Sequence, residues 1–166
     1  LNEQSHTYGM AFWIPYWGTG AGTDPYHFRS SMGWHMTIGP DARQKDENYS
    51  QAVRAVNQWR EVADCILGDY YPLVPYSVSE HIWMAWQYNK PESGTGLIQT
   101  FRRVHNADAG QPFRLRGLDA AAAYEFKDLD TGKSTQLSGA EAMKRGLPVE
   151  LPQPGQAGLI SYKRAP

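Results

Sequence analysis

Cysteine is almost absent from the sequence: Cys65 is the single one among 166 residues. One thiol cannot form an internal disulfide, so the fold does not depend on an oxidising compartment. Long apolar runs are missing too, and none approaches the ~20 residues that a membrane span requires. No signal peptide precedes the first predicted strand. We therefore expect no membrane partner and leave the compartment open, with the cytoplasm favoured.

An excess of charge of one sign is also lacking. Sixteen Lys and Arg stand against seventeen Asp and Glu, for a formal charge of −1, and no basic face or tail stands out. Because nucleic-acid binding depends on clustered positive charge, we expect no nucleic-acid partner. The chain opens Leu1-Asn2-Glu3 without an initiator Met, which suggests a fragment or a processed product.

Metal-ligand and nucleotide-binding patterns are lacking as well. None of the five histidines stands at metal-ligand spacing from another His, Cys or carboxylate. The glycines of Gly18–Gly22 follow a predicted strand, but Thr23 occupies the place of the third glycine of a dinucleotide fingerprint. Asp24-Pro25 is predicted to block the helix that would open there. We expect neither a metal site nor a bound nucleotide.

Aromatic residues, by contrast, are abundant, at 13% with ten Tyr and six Trp. Sugar rings stack on aromatic planes, so this content fits a carbohydrate-handling protein. Aromatic residues also favour strands and cores in any protein. Composition alone favours this plainer explanation.

The first half has the pattern of a βα-repeat protein. The apolar run Tyr8–Pro15 predicts a buried strand of a parallel sheet, and Tyr16–Tyr26, dense in Gly, Thr, Asp and Pro, predicts a loop. A second strand is expected over Ser31–Ile38. A helix follows, with Asp46 as its N-cap and Gly68 at a left-handed C′ position. Its apolar stripe consists of Tyr49, Ala52, Val53, Val56, Trp59, Val62, Ala63, Ile66 and Leu67. Two strands and one helix cannot close a barrel, so we expect exposed apolar surface.

The second half changes to short strands. Asp69–Ser77 carries two prolines and no period, which predicts an ordered linker. The predicted strands are Trp83–Tyr88, Leu97–Arg103, Phe113–Leu118, Tyr124–Leu129, Lys133–Leu137, Pro148–Leu151 and Gly158–Lys163. Asp130–Gly132 is a hairpin signal, and Ser138 with Glu141 has capping-box spacing for a short helix that ends at Gly146. These short strands predict an antiparallel sandwich.

The loop after the first predicted strand is the best functional candidate. In βα-repeat folds, the segments that follow the strands form the mouth of the active site. This loop offers aromatic platforms and polar groups for sugar hydroxyls. The candidate substrate-binding residues are Tyr16, Trp17, Asp24, Arg29 and Asp41, accompanied by Tyr26 and Arg43. The alternative is structural: Trp17 and Tyr26 would fill the gap under the loop. Arg29 would then pair with Asp24 or Asp41.

Several ordered motifs resemble one known family. His6–Met10 (HTYGM) and Trp13–Gly20 (WIPYWGTG) resemble the region around the seventh barrel strand of family-36 glycoside hydrolases, the α-galactosidases or melibiases. Phe28–Ser30 is similar to the stretch that leads into the eighth strand. Gly68–Leu73 with Pro75–Ser77 resembles the join from the last barrel helix to the C-terminal sandwich. Segments similar to that sandwich are Trp83–Tyr88 (WMAWQY), Phe101–Arg103 and Phe113–Leu118 (FRLRGL).

The resemblance implies a fold and an activity. It implies the last units of a (β/α)8 barrel over residues 1–68, an ordered linker over 69–80 and an antiparallel β-sandwich over 81–166, hence α/β plus all-β. The parent enzyme would be a retaining α-galactosidase acting on α-galactoside oligosaccharides, with no metal or organic cofactor. Both catalytic Asp residues of that mechanism would lie upstream of Leu1, so this chain alone lacks them. It would supply one wall of the sugar pocket and the accessory sandwich.

Two other interpretations stay open. One is a non-catalytic carbohydrate-binding module, which fits the Trp and Tyr content. The other is a structural β-sandwich that mediates assembly, with Trp83 and Trp86 at a subunit interface. A homo-oligomer is compatible with each interpretation.

Overall fold

The computed structural model describes residues 2–14, 20–38, 43 and 49–166. Its helices are α1 (Asn2–Met10), α2 (Pro25–Ser30), α3 (Tyr49–Val62) and α4 (Gly139–Lys144), with a 3₁₀ turn at Ala63–Leu67 after α3. Its strands are β1 (Gly20–Ala21), β2 (Thr37–Ile38), β3 (Asp69–Pro72), β4 (Trp83–Lys90), β5 (Thr95–Arg102), β6 (Gly110–Phe113), β7 (Ala123–Asp128), β8 (Ser134–Ser138), β9 (Leu147–Glu150) and β10 (Gln156–Arg164). Within these ranges, every helix falls short of the length and apolarity that a bilayer span needs.

An antiparallel sheet forms the centre of the molecule, with the strand order β3-β4-β5-β10-β7-β8. Its register places Trp86 of β4 opposite Gln99 of β5, and Gln99 opposite Leu159 of β10. β6 pairs with β9 in a separate antiparallel ladder, and β1 pairs with β2 in parallel. The last strand, β10, therefore inserts between β5 and β7 and joins the two hairpins into one sheet.

Both faces of the central sheet are covered. The helix-side face consists of Met84, Trp86, Tyr88, Leu97, Phe101 and Leu159, packed against Phe28, Met32, Ala55, Val62 and Ile66. The strand-side face consists of Trp83, Ala85, Ile98, Phe126, Ile160 and Tyr162, packed against Phe113, Leu115, Ala142, Leu147 and Val149. Burial on both sides explains why β4 and β5 are buried along nearly their whole length.

The predicted strand Tyr8–Pro15 is wrong over its described residues. Asn2–Met10 is helical, and turns follow it. Polar contacts hold this helix in place: the Gln4 amide donates to Ser30 Oγ (3.1 Å), and the Thr7 hydroxyl donates to the Ser30 carbonyl (2.6 Å). These partners come from a distant segment, so the apolar run itself carried no local signal against a strand.

The predicted strand Ser31–Ile38 is also largely wrong, because only Thr37–Ile38 is extended, in parallel with β1. The pair Asp24-Pro25, predicted to block a helix, begins α2 instead. Asp24 is the N-cap and accepts a hydrogen bond from the His27 backbone N–H (3.1 Å). Proline suits the first helical turn because its missing N–H would have no intrahelical partner. Asp-Pro is therefore a helix start here.

The long helix predicted in the first half of the chain is confirmed over Tyr49–Leu67, as α3 and the 3₁₀ turn. Its predicted N-cap, Asp46, lies outside the described residues. Val62 and Ile66 of the predicted stripe are buried against the central sheet, as is Ala55, which the stripe did not include, whereas Val53 is 58% exposed. The buried stripe is thus narrower than the sequence predicts.

Gly68 ends this helical segment, but not in the predicted left-handed conformation. Its φ is −81° and its backbone is extended. A Cβ at this position would lie 2.3 Å from the Asn89 carbonyl oxygen. Glycine is needed here because β4 passes so close, rather than because of an unusual φ.

The structure confirms β4, β5, β7, β8, β9 and β10, each within two residues of its predicted bounds. The hairpin at Asp130–Gly132 and the capping box of Ser138 and Glu141 are confirmed as well. The predicted strand Phe113–Leu118 is wrong, because β6 ends at Phe113. After it, the backbone N–H of Leu115 donates to a carbonyl of α4 (3.1 Å), which draws the chain away from a ladder.

Two further differences concern the predicted linker and the two tryptophans of β4. Asp69–Pro72, predicted to be linker, forms the edge strand β3 and pairs with β4. Trp83 and Trp86, which one interpretation placed at a subunit interface, are 2% and 0% exposed and lie in the two cores. The described chain is therefore mostly antiparallel sheet with few helices, and its parallel pairing is limited to β1 and β2.

Candidate functional site

A cleft of about 460 Å³ lies between helices α2 and α3, the β7–β8 hairpin and the start of β10. Asp24 and Arg29 reach it from α2, Arg54 and Gln58 from α3, and Asp130 from the hairpin. The three elements meet here because α2 and α3 both pack on the helix-side face of the sheet, next to β10. The cleft gathers polar side chains from distant parts of the sequence.

The floor of the cleft is a two-pronged ion pair between Arg29 and Asp130. Arg29 Nη1 donates to Asp130 Oδ2 (2.7 Å), and Nη2 donates to Oδ1 (2.6 Å). Nη1 also donates to the Ala157 carbonyl (2.6 Å), and Nη2 to Gln58 Oε1 (3.0 Å). The Arg29 side chain is only 2% exposed, so its charge is neutralised inside the protein. Both terminal nitrogens are fully occupied by protein acceptors.

The surroundings of Asp130 set its protonation. Burial by itself would raise the pKa of this carboxyl. The hydrogen bonds and charge of Arg29, joined by Gln58 and the more distant Arg54, outweigh that effect and hold the pKa below its usual value. Asp130 is therefore a carboxylate at neutral pH, bound to arginine rather than available as a nucleophile or proton donor.

Asp24 occupies the rim of the cleft. Its Oδ1 accepts the His27 backbone N–H, as the cap of α2, and its Oδ2 lies 2.5 Å from His27 Nδ1. The side chains of Asp24 and His27 are 48% and 64% exposed. The cap explains the position of this carboxylate, and its exposure leaves it accessible to a ligand.

Tyr26 lies beside the cleft and supports the structural part of the sequence interpretation. Its ring meets Phe101 edge-on at 5.7 Å, which places it against the helix-side face. Burial raises the pKa of its hydroxyl. Tyr26 therefore anchors the start of α2 to the sheet.

The structure describes only some of the predicted site residues. Tyr16, Trp17 and Asp41 lie outside the described residues. Asp24 and Arg29 line the same cleft. The sequence offered Asp24 or Asp41 as the partner of Arg29, whereas the observed partner is Asp130, 101 positions away. No local pattern could have indicated this pair, because Asp130 carries an ordinary turn signal.

The chemistry of the cleft is hydrogen bonding. Its polar groups are carboxylate, guanidinium and amide side chains, of which Arg54 is 62% exposed. Nowhere in the described ranges do His, Cys, Asp or Glu side chains form a group of three that could hold a metal ion.

Comparison with protein families gives a match that lies in the second half of the chain. Residues 83–161 match the glycosyl hydrolase family 36 C-terminal domain. This part of the chain is a family 36 C-terminal domain. The resemblance that the sequence motifs indicated is thereby confirmed. The comparison with curated proteins gives no match.

Solved structures show a likeness that extends beyond the family 36 domain. The galactosidase domain of the alpha-galactosidase–sucrose kinase AgaSK matches 99% of this chain, with a TM-score of 0.76 and 22% identity. The α-galactosidase AgaA of Geobacillus stearothermophilus matches 84% of it, with a TM-score of 0.60 and 18% identity. The α-galactosidase of Lactobacillus brevis also matches 84%, with a TM-score of 0.56 and 15% identity. This chain spans 24%, 18% and 19% of those proteins.

The cleft lies where the family 36 domain meets the preceding helices. Asp130 and the start of β10 belong to the matched residues, whereas Asp24, Arg29 and Gln58 precede them. The Arg29–Asp130 ion pair therefore joins the domain to the helical segment in front of it.

A second surface stands out beside the family 36 domain. Phe12, Trp13 and Ile14 follow α1 and are 58%, 85% and 41% exposed. We call these three residues the aromatic patch. It borders a hollow of about 350 Å³ that Tyr70 and Tyr88 also line, and the Phe12 ring meets Tyr70 edge-on at 5.0 Å.

Proposed function

We propose that this chain is the C-terminal part of a retaining α-galactosidase and acts on α-galactoside oligosaccharides only together with upstream sequence. The observation that carries the proposal is the family 36 C-terminal domain at residues 83–161, combined with a fold likeness over 99% of the chain to a galactosidase domain. In such an enzyme one Asp attacks the anomeric carbon and a second protonates the leaving oxygen. We place both on earlier barrel strands, so this chain supplies no catalytic carboxylate.

In this proposal, residues 1–68 are the closing βα units of a (β/α)8 barrel, and the sandwich follows, with β3 as its edge strand. Two observations support the barrel assignment. β1 and β2 are parallel, and the chain between them passes through α2, as a parallel crossover requires. The aromatic patch exposes the kind of apolar surface that neighbouring barrel elements would cover.

The sugar pocket would be lined in part by the segment that precedes α2. We assign Tyr16, Trp17, Asp24 and Asp41 to contacts with the sugar, as aromatic platform and hydroxyl partners. Arg29, predicted with them, has its terminal nitrogens occupied by Asp130, Gln58 and Ala157. Its part in the pocket is therefore to hold α2 in place. Asp24, at the exposed rim, supports this arrangement.

Turnover of an aryl α-galactoside tests the proposal. The protein with its upstream sequence is expected to hydrolyse the substrate with retention at the anomeric carbon, and the isolated chain is expected to be inactive. Hydrolysis by the isolated chain would overturn the catalytic assignment. A folded full-length protein that does not cleave α-galactosides would overturn the function itself.

A non-catalytic carbohydrate-binding module is the second candidate, and the exposed indole of Trp13 favours it. This function predicts sugar affinity in the isolated chain, lost on Trp13→Ala. Calorimetric titration with galactose and raffinose distinguishes the two, since the enzyme-fragment proposal expects no heat from the isolated chain.

A further inference from the structure

The ion pair between Arg29 and Asp130 joins elements that are far apart in sequence. Arg29 sits at the fifth residue of α2, and Asp130 at the turn of the β7–β8 hairpin. Gln58 of α3 bridges the same contact: its Nε2 donates to the Leu129 carbonyl (2.9 Å), and its Oε1 accepts from Arg29. The hairpin is thereby tied to both α2 and α3.

Tyr26 packs the start of α2 against Phe101, and the remaining anchors lie at its C-terminal end. Ser30 accepts hydrogen bonds from α1, and Phe28 and Met32 are buried in the core. Gln99 of β5 donates to the Arg29 carbonyl (3.0 Å). The N-terminal end carries Asp24, whose side chain is half exposed. The Arg29 side chain is the charged contact that fixes the helix against the family 36 domain.

We propose that Asp130 is a positioning residue: through Arg29 it holds α2, and with it Asp24 at the rim of the cleft, in the orientation that the sugar pocket needs. This inference rests on the proposed function. It assigns the accessory domain an indirect part in substrate binding, because a hairpin turn of that domain sets the place of a pocket wall. The two-pronged geometry suits this role, since it fixes direction as well as distance.

The test uses the full-length protein with Asp130→Asn, which keeps the size of the side chain and removes its charge. Hydrogen exchange reports the position of α2 through the amides of Phe28, Ser31 and Met32, which donate to the carbonyls of Asp24, His27 and Arg29. We expect these amides to exchange about tenfold faster, with β4 and β5 unchanged. The KM for an aryl α-galactoside should rise about tenfold with kcat within about twofold, because a displaced wall weakens binding without touching the reacting atoms.

Glu61→Gln is the matched control. Glu61 pairs with Lys127 (3.2 Å), and this contact also joins α3 to β7, but each side chain is 47% exposed. The control should leave exchange and KM unchanged. A double variant, Arg29→Met with Asp130→Leu, guards against misfolding, since apolar replacements of a buried pair often preserve stability. It should fold and still show the raised KM.

Each outcome decides the inference. Unchanged exchange in α2 would overturn it, and so would faster exchange with an unchanged KM, which would limit the ion pair to folding. A wild-type KM in the folded double variant would overturn it as well. If the wild-type protein has no α-galactosidase activity, the proposed function fails, and the exchange experiment still shows whether Asp130 holds α2.

Discussion

The two faces of the central sheet bury similar side chains but are held to their covering layers by different polar contacts. On the helix-side face, Trp86 Nε1 donates to Gln99 (2.7 Å), Gln99 donates to the Arg29 carbonyl, and Arg29 ends in the ion pair with Asp130. On the strand-side face, the side-chain amide of Gln87 donates to the Arg116 backbone carbonyl (2.9 Å), and both groups are neutral.

This difference has consequences for stability. A charged contact responds to pH and fails if one partner is removed, because a buried charge without a counterion is unfavourable. A neutral network of hydrogen bonds does not respond to pH in that way. The stability of the helix side should therefore depend on pH and on single substitutions more strongly than the stability of the strand side.

The largest effect is expected from Trp86→Ala compared with Trp83→Ala. Each removes a buried indole and should lower the free energy of unfolding by about 3–5 kcal/mol. Trp86 should cost roughly 1 kcal/mol more, because it leaves the buried amide of Gln99 without its donor, whereas Trp83 donates to the Asp108 carbonyl in a partly exposed position. Urea unfolding at neutral pH measures both. Trp13→Ala is the control and should change stability by less than about 0.5 kcal/mol. Equal losses at the two buried positions would contradict the proposed asymmetry.

Asp130→Asn should have the next largest effect, about 2 kcal/mol at neutral pH, below the range for fully buried pairs because the Asp130 side chain is 32% exposed. The pKa of Asp130 is lower in the folded than in the unfolded chain. The stabilisation is therefore complete above the unfolded value of about 3.9 and is lost as the pH falls through the folded value.

Urea unfolding of wild type and Asp130→Asn measures this difference. The experiment runs from about pH 7 to about pH 2.5, a range that spans the titration of carboxyl groups. The difference in the free energy of unfolding between the two proteins should disappear as the pH falls. Gln87→Met is the control from the strand-side face, since Gln87 donates to the Tyr162 hydroxyl and to the backbone carbonyl of Arg116, which are both neutral. Its gap from wild type should not close with pH, and a gap for Asp130→Asn that stays constant would refute the prediction.

Ser138→Ala should lower stability by about 1 kcal/mol through the cap of α4 on the strand side. The Ser138 hydroxyl accepts the backbone N–H of Glu141 (3.2 Å), and alanine leaves that donor to water. Thermal unfolding measures the loss. Ser138→Thr keeps a hydroxyl and should lose only a few tenths of a kcal/mol. The cap assignment fails if the two substitutions have the same effect.

Glu61→Gln should have the smallest effect, no more than about 0.5 kcal/mol, because its ion pair with Lys127 is exposed and screened by solvent. Added salt should remove even this difference. A loss comparable to that of Asp130→Asn would show that burial does not distinguish the two contacts between the helices and the sheet.

The sequence predicted the second half of the fold well and the first half poorly. Strands of the central sheet, the hairpin at Asp130–Gly132 and the cap at Ser138 follow local rules of turn chemistry and extended-strand composition. The prediction of a strand over Tyr8–Pro15 was wrong because an apolar stretch alone does not indicate whether it will pair with another strand or form the end of a helix and an exposed turn. In the cleft, the sequence predicted sugar contact for Asp24, which stays a prediction, and did not predict its role as the cap of α2.

The sequence by itself indicated the family 36 resemblance, the antiparallel strands and the long helix, since these depend on motifs, spacing and residues close together in the chain. Only the tertiary structure decided which acid pairs with Arg29, which side of each strand faces the helices, and that Asp69–Pro72 joins the sheet. These features depend on contacts between residues distant in sequence, whose free energy appears only once the core has brought them together.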